Sequence, residues 1–376
     1  MFFRDIPGRS EIAERLVRSV HDHRVSHAQL FAGGEGTGKF AMAIAYAQFI
    51  SCQSRTETDS CGECPSCIKY SKFIHPDLHF VYPIVKSKKF TDPVCDNYLP
   101  EWRSFIASDP FITMNNWLGV LEVENSQPVI YAAEASEILR KLSLKTYEAE
   151  YKVMIIWLPE RMHQTAANKM LKILEEPPEK TLFLLITDEV DKIIPTILSR
   201  CQLIKFPGIK GEDIATYLVS RFSLTPELAR EIAHISNGNL SRAIALAGSA
   251  DATNNELESF RILMRHAWKR DVAGLTGWSD DMASGGREAQ KSFLVYCLSL
   301  LRNNFIMYNN SGNASHTYMT GAEAEFSSKF YPFVNANNIE SLYEEFNKAH
   351  YHIESNGNAK IVLLDLSLQV ALLLRA

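Results

Sequence analysis

Two groups of residues in this chain have the types and spacings that do chemistry. The first is Cys52, Cys61, Cys64 and Cys67, a C-x8-C-x2-C-x2-C run. Four thiolates in one short stretch suit tetrahedral Zn²⁺, and two consecutive C-x2-C steps let the backbone close around a single ion. Four protein ligands leave no position for water, so such a site would be structural rather than catalytic. The other reading is free or redox-active thiols, which this spacing disfavours. The second group is GGEGTGKF, residues 33–40. Gly33, Gly38 and Lys39 fit the phosphate-cradling pattern G-x-x-x-x-G-K-[ST]. Phe40 breaks it, standing where a Ser or Thr would hold Mg²⁺.

A hydrolysing site of this kind also needs an acid at the end of a buried strand to hold the metal, and commonly a Glu to orient water. The candidate strand VMIIWL (153–158) runs into Trp157-Leu158-Pro159-Glu160. Glu160 comes two residues too late, beyond a proline that fixes the backbone. Metal ligand and water-activating acid are both missing, so hydrolysis is expected to be negligible. Binding is a separate matter. Lys39, the loop amides and the following helix N-terminus keep what holds a phosphate, whereas Phe40 is large enough to fill part of the pocket. ATP binding therefore stays open. A motor with unusual metal ligands would need an acid such as Glu160 or Asp188.

The elements that position these residues follow from the hydrophobic pattern. Apolar runs at 28–32, 78–82, 153–158, 181–187 and 202–206 read as strands, the third and fourth apolar enough to be buried on both faces. Helical spacing over 39–50 (Met42, Ala45, Phe49) follows the glycine loop. A helix over 163–176, with Ala167, Met170, Leu171 and Leu174 on one face, stops at Pro177-Pro178. Strand–helix alternation with a phosphate loop after the first strand predicts an α/β domain with a parallel sheet. Residues 84–128, with four prolines and no clear strand, read as an insertion, partly helical around 101–107. Beyond Pro207-Gly208 the pattern turns to short helices at 211–222, 226–236 and 239–247. A polar stretch at 250–259 suits a linker, and the remainder is helical. The expected domains are 1–207 (α/β), 208–250 (a helical lid) and 251–376 (all-α).

The chain has 376 residues, 46% of them hydrophobic and 22% charged, with a net charge of −5. That argues against wrapping nucleic acid by bulk charge, though not against a local basic surface. The N-terminus lacks the apolar core of a signal peptide. The apolar tail at 361–374 is too short and too interrupted by Asp365, Ser367 and Gln369 to span a bilayer, and it reads as a buried helix. No membrane association and a cytoplasmic location are expected. Cys95, Cys201 and Cys297 read as small buried hydrophobes.

Five stretches carry a resemblance in order: SHAQLFAGGEGTGK (26–39), the four-cysteine run, HPDLHFVYP (75–83), YKVMIIWLPERMHQTAANKMLKILEEPP (151–178) and LLITDEVDKIIPTILSRCQLIKF (184–206). Together they resemble the bacterial DNA polymerase III clamp-loader subunits of the AAA+ superfamily. The likeness covers about 5–250, is loose over 255–376 and is absent over 84–128. In that family the gamma and tau motors keep an intact loop and an acidic strand end. The delta-prime kind has degenerate versions of both, yet keeps the cysteine module and the Ser-Arg-Cys motif. This chain is similar to the latter, with Phe40 for Thr or Ser and Trp157-Leu158 for Asp-Glu.

The resemblance implies a rigid, non-hydrolysing member of a five-subunit ring with gamma/tau and delta partners, helping to load the sliding clamp onto primed DNA. It implies that Arg200 of Ser199-Arg200-Cys201 is an arginine finger reaching a neighbour's nucleotide; its guanidinium is always charged and contacts several oxygens at once. By chemistry alone Arg200 would read as a surface arginine. Arg242, in Gly238-Asn239-Leu240-Ser241-Arg242, matches the second sensor, where it would touch nucleotide or simply pack. Thr187 matches the first sensor. Lys169 and Lys172, three apart on one helix, are either an ordinary solvated face or, in the ring, neighbours of DNA phosphates. The helical third domain would be the collar. A scaffold with Arg200 unemployed remains the alternative to the finger.

Overall fold

The computed structural model describes residues 1–376 except 88–89, 124–126, 249–251, 313–316, 318, 320 and 375–376. The chain forms two compact units. The first takes in residues 1–121, 126–221 and 236–242; the second takes in 122–125, 222–235 and 243–376.

The first unit is built on a parallel five-stranded sheet. Its strands are β1 (Ala28–Ala32), β2 (Leu78–Val81), β3 (Lys152–Trp157), β4 (Thr181–Thr187) and β5 (Gln202–Lys205), in the spatial order β2-β3-β4-β1-β5. Every residue of β3 and of β4 is buried, as continuous apolar runs in a sheet covered on both faces must be. Register brings the carboxyl ends level: Ala32 faces Thr187, and Trp157 faces Ile186. Gly33, Leu158 and Asp188 therefore emerge along one edge, where open parallel sheets form their sites.

The helix after the glycine loop, Lys39–Ser51, departs from the one-faced pattern expected of it. All of its residues are buried, so it behaves as a helix enclosed on every side. The helices Ser10–His21 and Pro65–Ser71 both pack on it.

The insertion is more ordered than its sequence suggested. It carries the helices Leu99–Ser108 and Met114–Val120 after a short turn at Cys95–Tyr98, and an antiparallel bridge between Ile84 and Val129 closes its base. Trp102 and Trp117 are wholly buried. The Trp117 indole N–H donates to the Pro83 carbonyl at 2.8 Å, and the Tyr82 hydroxyl donates to the Cys95 carbonyl at 2.7 Å. Aromatic packing replaces periodicity as the organising force, which is why the pattern gave little warning.

The polar stretch at 250–259 is not a linker over its described part. A helix runs Ala252–Lys269; residues 250–251 lie outside the described residues. Leu257, Phe260, Met264 and Ala267 are buried at helical spacing, so the periodicity begins inside the polar stretch. With the helices Val272–Ser284, Arg287–Asn309, Gly321–Phe330, Ile339–Glu354 and Ala359–Leu373, it encloses a core around Phe260, Leu301, Phe346 and Leu363. The tail helix buries Leu363, Leu366, Val370 and Ala371, yet leaves Ile361, Leu368 and Leu372 exposed. Among the described residues no helix is long and apolar enough to cross a membrane. Cys95 and Cys297 are buried as expected, while Cys201 is only partly so.

One side chain fixes the approach to β2 and β3. The Asp77 carboxylate accepts the backbone N–H groups of Tyr147, Glu148 and Ala149 at 2.7, 2.9 and 2.9 Å. Burial alone would raise its pKa, but these donors outweigh burial and hold it below the ordinary 3.8. A depressed folded value means stability that is complete above pH 3.8 and is lost as pH falls towards the folded value. Asp77→Asn is expected to lower unfolding free energy at pH 7 by about 1–3 kcal/mol. In denaturant melts the gap to wild type should narrow steadily below pH 3.8; a gap that stays constant into acid would contradict it.

Candidate functional site

The glycine loop leaves β1 and turns into the helix Lys39–Ser51. Two glycines are required by geometry. A Cβ on Gly33 would lie 2.1 Å from the Phe206 carbonyl oxygen, and Gly38 has φ +79°. The loop has the shape of a phosphate cradle, but its lysine is turned inward. The Lys39 ammonium lies 2.8 Å from the Gly33 oxygen, 2.5 Å from the Gly34 oxygen and 3.2 Å from the Thr37 hydroxyl. It also pairs with Asp188 at 2.8 Å, while Lys39 itself is only 4% exposed. An ammonium has three donors, and here its own chain supplies acceptors for all of them.

Rings occupy the two positions where the sequence pattern looked for metal ligands. Phe40 and Trp157 are both buried. The ring of Trp102, from the insertion, lies 5.8 Å from Phe40 and 5.4 Å from Trp157, and stacks on Tyr82 at 3.9 Å. Phe40 also lies 6.4 Å from Phe80 of β2. Ring pairs at these separations attract beyond their area burial. The acids considered as stand-in metal ligands are otherwise engaged. Asp188 neutralises Lys39. Glu160 accepts the Asp188 backbone N–H at 3.1 Å and bonds Thr187. Burial, more than the nearby Asp188 charge, pushes Glu160 up to about 7.

Next to the loop remains a cavity of about 20 Å³ among Gly38, Lys39, Trp157, Asp188, Phe111 and Ser241. That volume holds roughly one water. Phe111 and Ile112 of the insertion line it, and the Ser241 hydroxyl donates to the Phe111 carbonyl at 2.8 Å. The Leu240 N–H donates to the Gly36 carbonyl at 2.9 Å, which ties the stretch at 238–242 directly to the loop. The Arg242 N–H donates to the Asn239 side chain at 2.9 Å. Ser241 rather than Arg242 lines the cavity. The structure thus brings Gly33, Gly38 and Lys39 together and sets the Arg242 side chain outside the cavity lining.

The helix that begins at Lys39 ends against the cysteines. Cys52 follows its last residue, and the Cys64 sulfur caps the helix Pro65–Ser71 by accepting the Cys67 N–H. All four sulfurs lie within 4.8 Å of one another, and none is in a disulfide. The Cys52–Cys61, Cys52–Cys64 and Cys61–Cys67 sulfur separations are 3.5, 3.9 and 3.9 Å. Tetrahedral thiolates at about 2.3 Å from Zn²⁺ stand about 3.8 Å apart, so the residues fit such an ion. Backbone N–H groups of Glu63 and Cys64 hold the Cys61 thiol down to about 6, while burial pushes the Cys52 and Cys67 thiols up.

Arg200 follows the short helix Pro195–Leu198 and is partly exposed. Lys169 and Lys172 lie on the exposed side of the helix Gln164–Glu175, opposite Ala166, Ala167, Met170, Ile173 and Leu174. Leu171, expected on that apolar face, is only half-buried and Ile173 takes its place. Sequence reasoning did not find Phe111 in the lining of the loop's pocket, Trp102 packed on Phe40 and Trp157, or Asp188 as the partner of Lys39.

A parallel sheet with a glycine loop after its first strand defines an α/β protein of the phosphate-loop nucleotide-fold class, here followed by a helical C-terminal region. Residues 8–210 match the family described as DNA polymerase III, delta subunit, and the chain belongs to that family. It is 28% identical over 236 residues to DNA polymerase III subunit delta' of Bacillus subtilis, covering 63% of this chain and 58% of that protein. It is 27% identical over 233 residues to subunit delta' of Escherichia coli, covering 62% and 58%. It is 27% identical over 250 residues to subunit gamma of Buchnera aphidicola, covering 65% and 57%. The matches thus span less than two thirds of these relatives' lengths.

Elemental analysis of the purified chain is expected to return one zinc per molecule. Stripping it, or Cys61→Ser with Cys64→Ser, should lower unfolding free energy by about 2–4 kcal/mol. A metal-free chain of undiminished stability would contradict this.

Proposed function

We propose that this chain is a non-hydrolysing, delta-prime-like subunit of a bacterial clamp loader, helping to load the sliding clamp onto primed DNA. The observation that carries the reading is Lys39, whose ammonium is satisfied by Asp188 and by its own loop. A lysine so paired has no donor left for a β- or γ-phosphate, and the positions that would hold Mg²⁺ are aromatic. The loop keeps its fold and gives up its ligand. The motor alternative finds no support in Glu160 or Asp188, since both are engaged elsewhere.

The remaining parts take roles consistent with this reading. Zinc at Cys52, Cys61, Cys64 and Cys67 is structural, since four thiolates close its coordination. Partners are gamma/tau and delta subunits, and the working location is the cytoplasm. The helical region 251–376 serves as the collar, following a lid at 208–250, and Ile361, Leu368 and Leu372 on the tail helix suit packing against a neighbour. Lys169 and Lys172, exposed on one helix, supply salt-dependent contacts to DNA phosphates. Arg200 completes a neighbouring motor's site, while Arg242 keeps a packing role.

The deciding experiment is hydrolysis by the complex assembled from this chain with its own motor and delta partners, stimulated by clamp and primed DNA. A finger contributes about 10³–10⁵ in rate to the site it serves, so Arg200→Ala should silence one site among several. Total turnover should fall clearly, with assembly unchanged by size-exclusion chromatography. Unchanged turnover would leave the chain a scaffold.

A further inference from the structure

Arg200 is not free within its own chain. One amino group of its guanidinium donates to the Thr196 carbonyl at 2.7 Å, and the other pairs with Glu175. These two amino groups can make a forked grip on a phosphate, and both are engaged. Glu175 is the last residue of the helix Gln164–Glu175. An acid there sits at the negative end of the helix dipole, where a cation partner is favoured. The short helix that delivers Arg200, Pro195–Leu198, packs against that same helix. A carboxylate and a γ-phosphate are therefore alternative partners for one guanidinium.

We propose that Glu175 is a latch, parking Arg200 against its own chain until the triphosphate bound by a neighbouring subunit draws the guanidinium away. The inference rests on the reading of Arg200 as acting in a neighbour's site. Glu175 acts through Arg200 and touches no reacting atom. It sets the fraction of time the guanidinium is available, and the unstimulated rate scales with that fraction. Both side chains are partly exposed, 31% for Arg200 and 47% for Glu175, so the pair is weak. Weakness is what a releasable latch requires, since it biases the resting complex and a multiply charged phosphate still displaces it.

The experiment compares wild type, Glu175→Gln, Arg200→Ala and the double variant in the complete complex, with ATP·Mg²⁺, without and with clamp and primed DNA. Glu175→Gln keeps the side-chain shape and removes the charge. It should raise unstimulated hydrolysis about two- to fivefold, the range set by an exposed ion pair, and leave the stimulated rate nearly unchanged. The double variant should match Arg200→Ala. A purely structural role for Glu175 would alter the Arg200→Ala background as well. If Arg200→Ala lowers stimulated turnover while Glu175→Gln leaves the unstimulated rate unchanged or lower, the latch is overturned and the finger stands. If Arg200→Ala changes nothing, the finger reading fails and the latch fails with it.

Discussion

The indole of Trp102 lies against both Phe40 and Trp157, joining the inserted segment to the ends of the loop and of β3. Two positions that would share a hydrated metal ion in a working site are here parts of one apolar cluster. Truncating a buried aromatic of this kind costs about 3–5 kcal/mol, so the cluster is a source of stability. Lys39 completes the arrangement. An ammonium beside apolar rings must find local acceptors, and Asp188 and the loop carbonyls provide them. The ring cluster, the inward-turned lysine and the packing of the insertion form a single consistent arrangement.

That arrangement runs along one helix. Lys39–Ser51 starts at the loop, is buried throughout, and ends at Cys52 in the cysteine cluster. A cluster of four thiols at one end and a narrow, ring-lined pocket at the other border the same element. Arg200 lies after a different short helix, partly exposed, and its charge does not depend on what fills the pocket. The surroundings of Arg200 are thus separate from those of Lys39, and under the proposed function the first can serve a neighbour whatever becomes of the second.

Much of this was legible in the sequence because it depended on local types and spacing. The apolar runs gave the five strands of the described residues, the glycine loop gave the position of Lys39, and the cysteine spacing gave the cluster of four sulfurs. Phe40 and Trp157 marked the altered positions. What could not be read depended on contacts between distant segments. Nothing near Lys39 names Asp188 as its partner. Residues 84–128 carry no regular period, so neither the pocket lining by Phe111 nor the packing of Trp102 was visible. The polar stretch at 250–259 misled because polar residues dominate the start of a helix whose buried positions are sparse.

The most direct measurement is the melting temperature of the isolated chain with and without ATP·Mg²⁺ at about 1 mM. A ligand that binds only the folded state at a hundred times its Kd adds about 2.7 kcal/mol. A site with a Kd of about 10 μM would therefore raise the melting temperature by several degrees. No shift is expected, because Phe111 lines the narrow space beside the loop and Lys39 is paired with Asp188. A dose-dependent rise, absent in Lys39→Ala, would show that the loop still binds nucleotide and would contradict it.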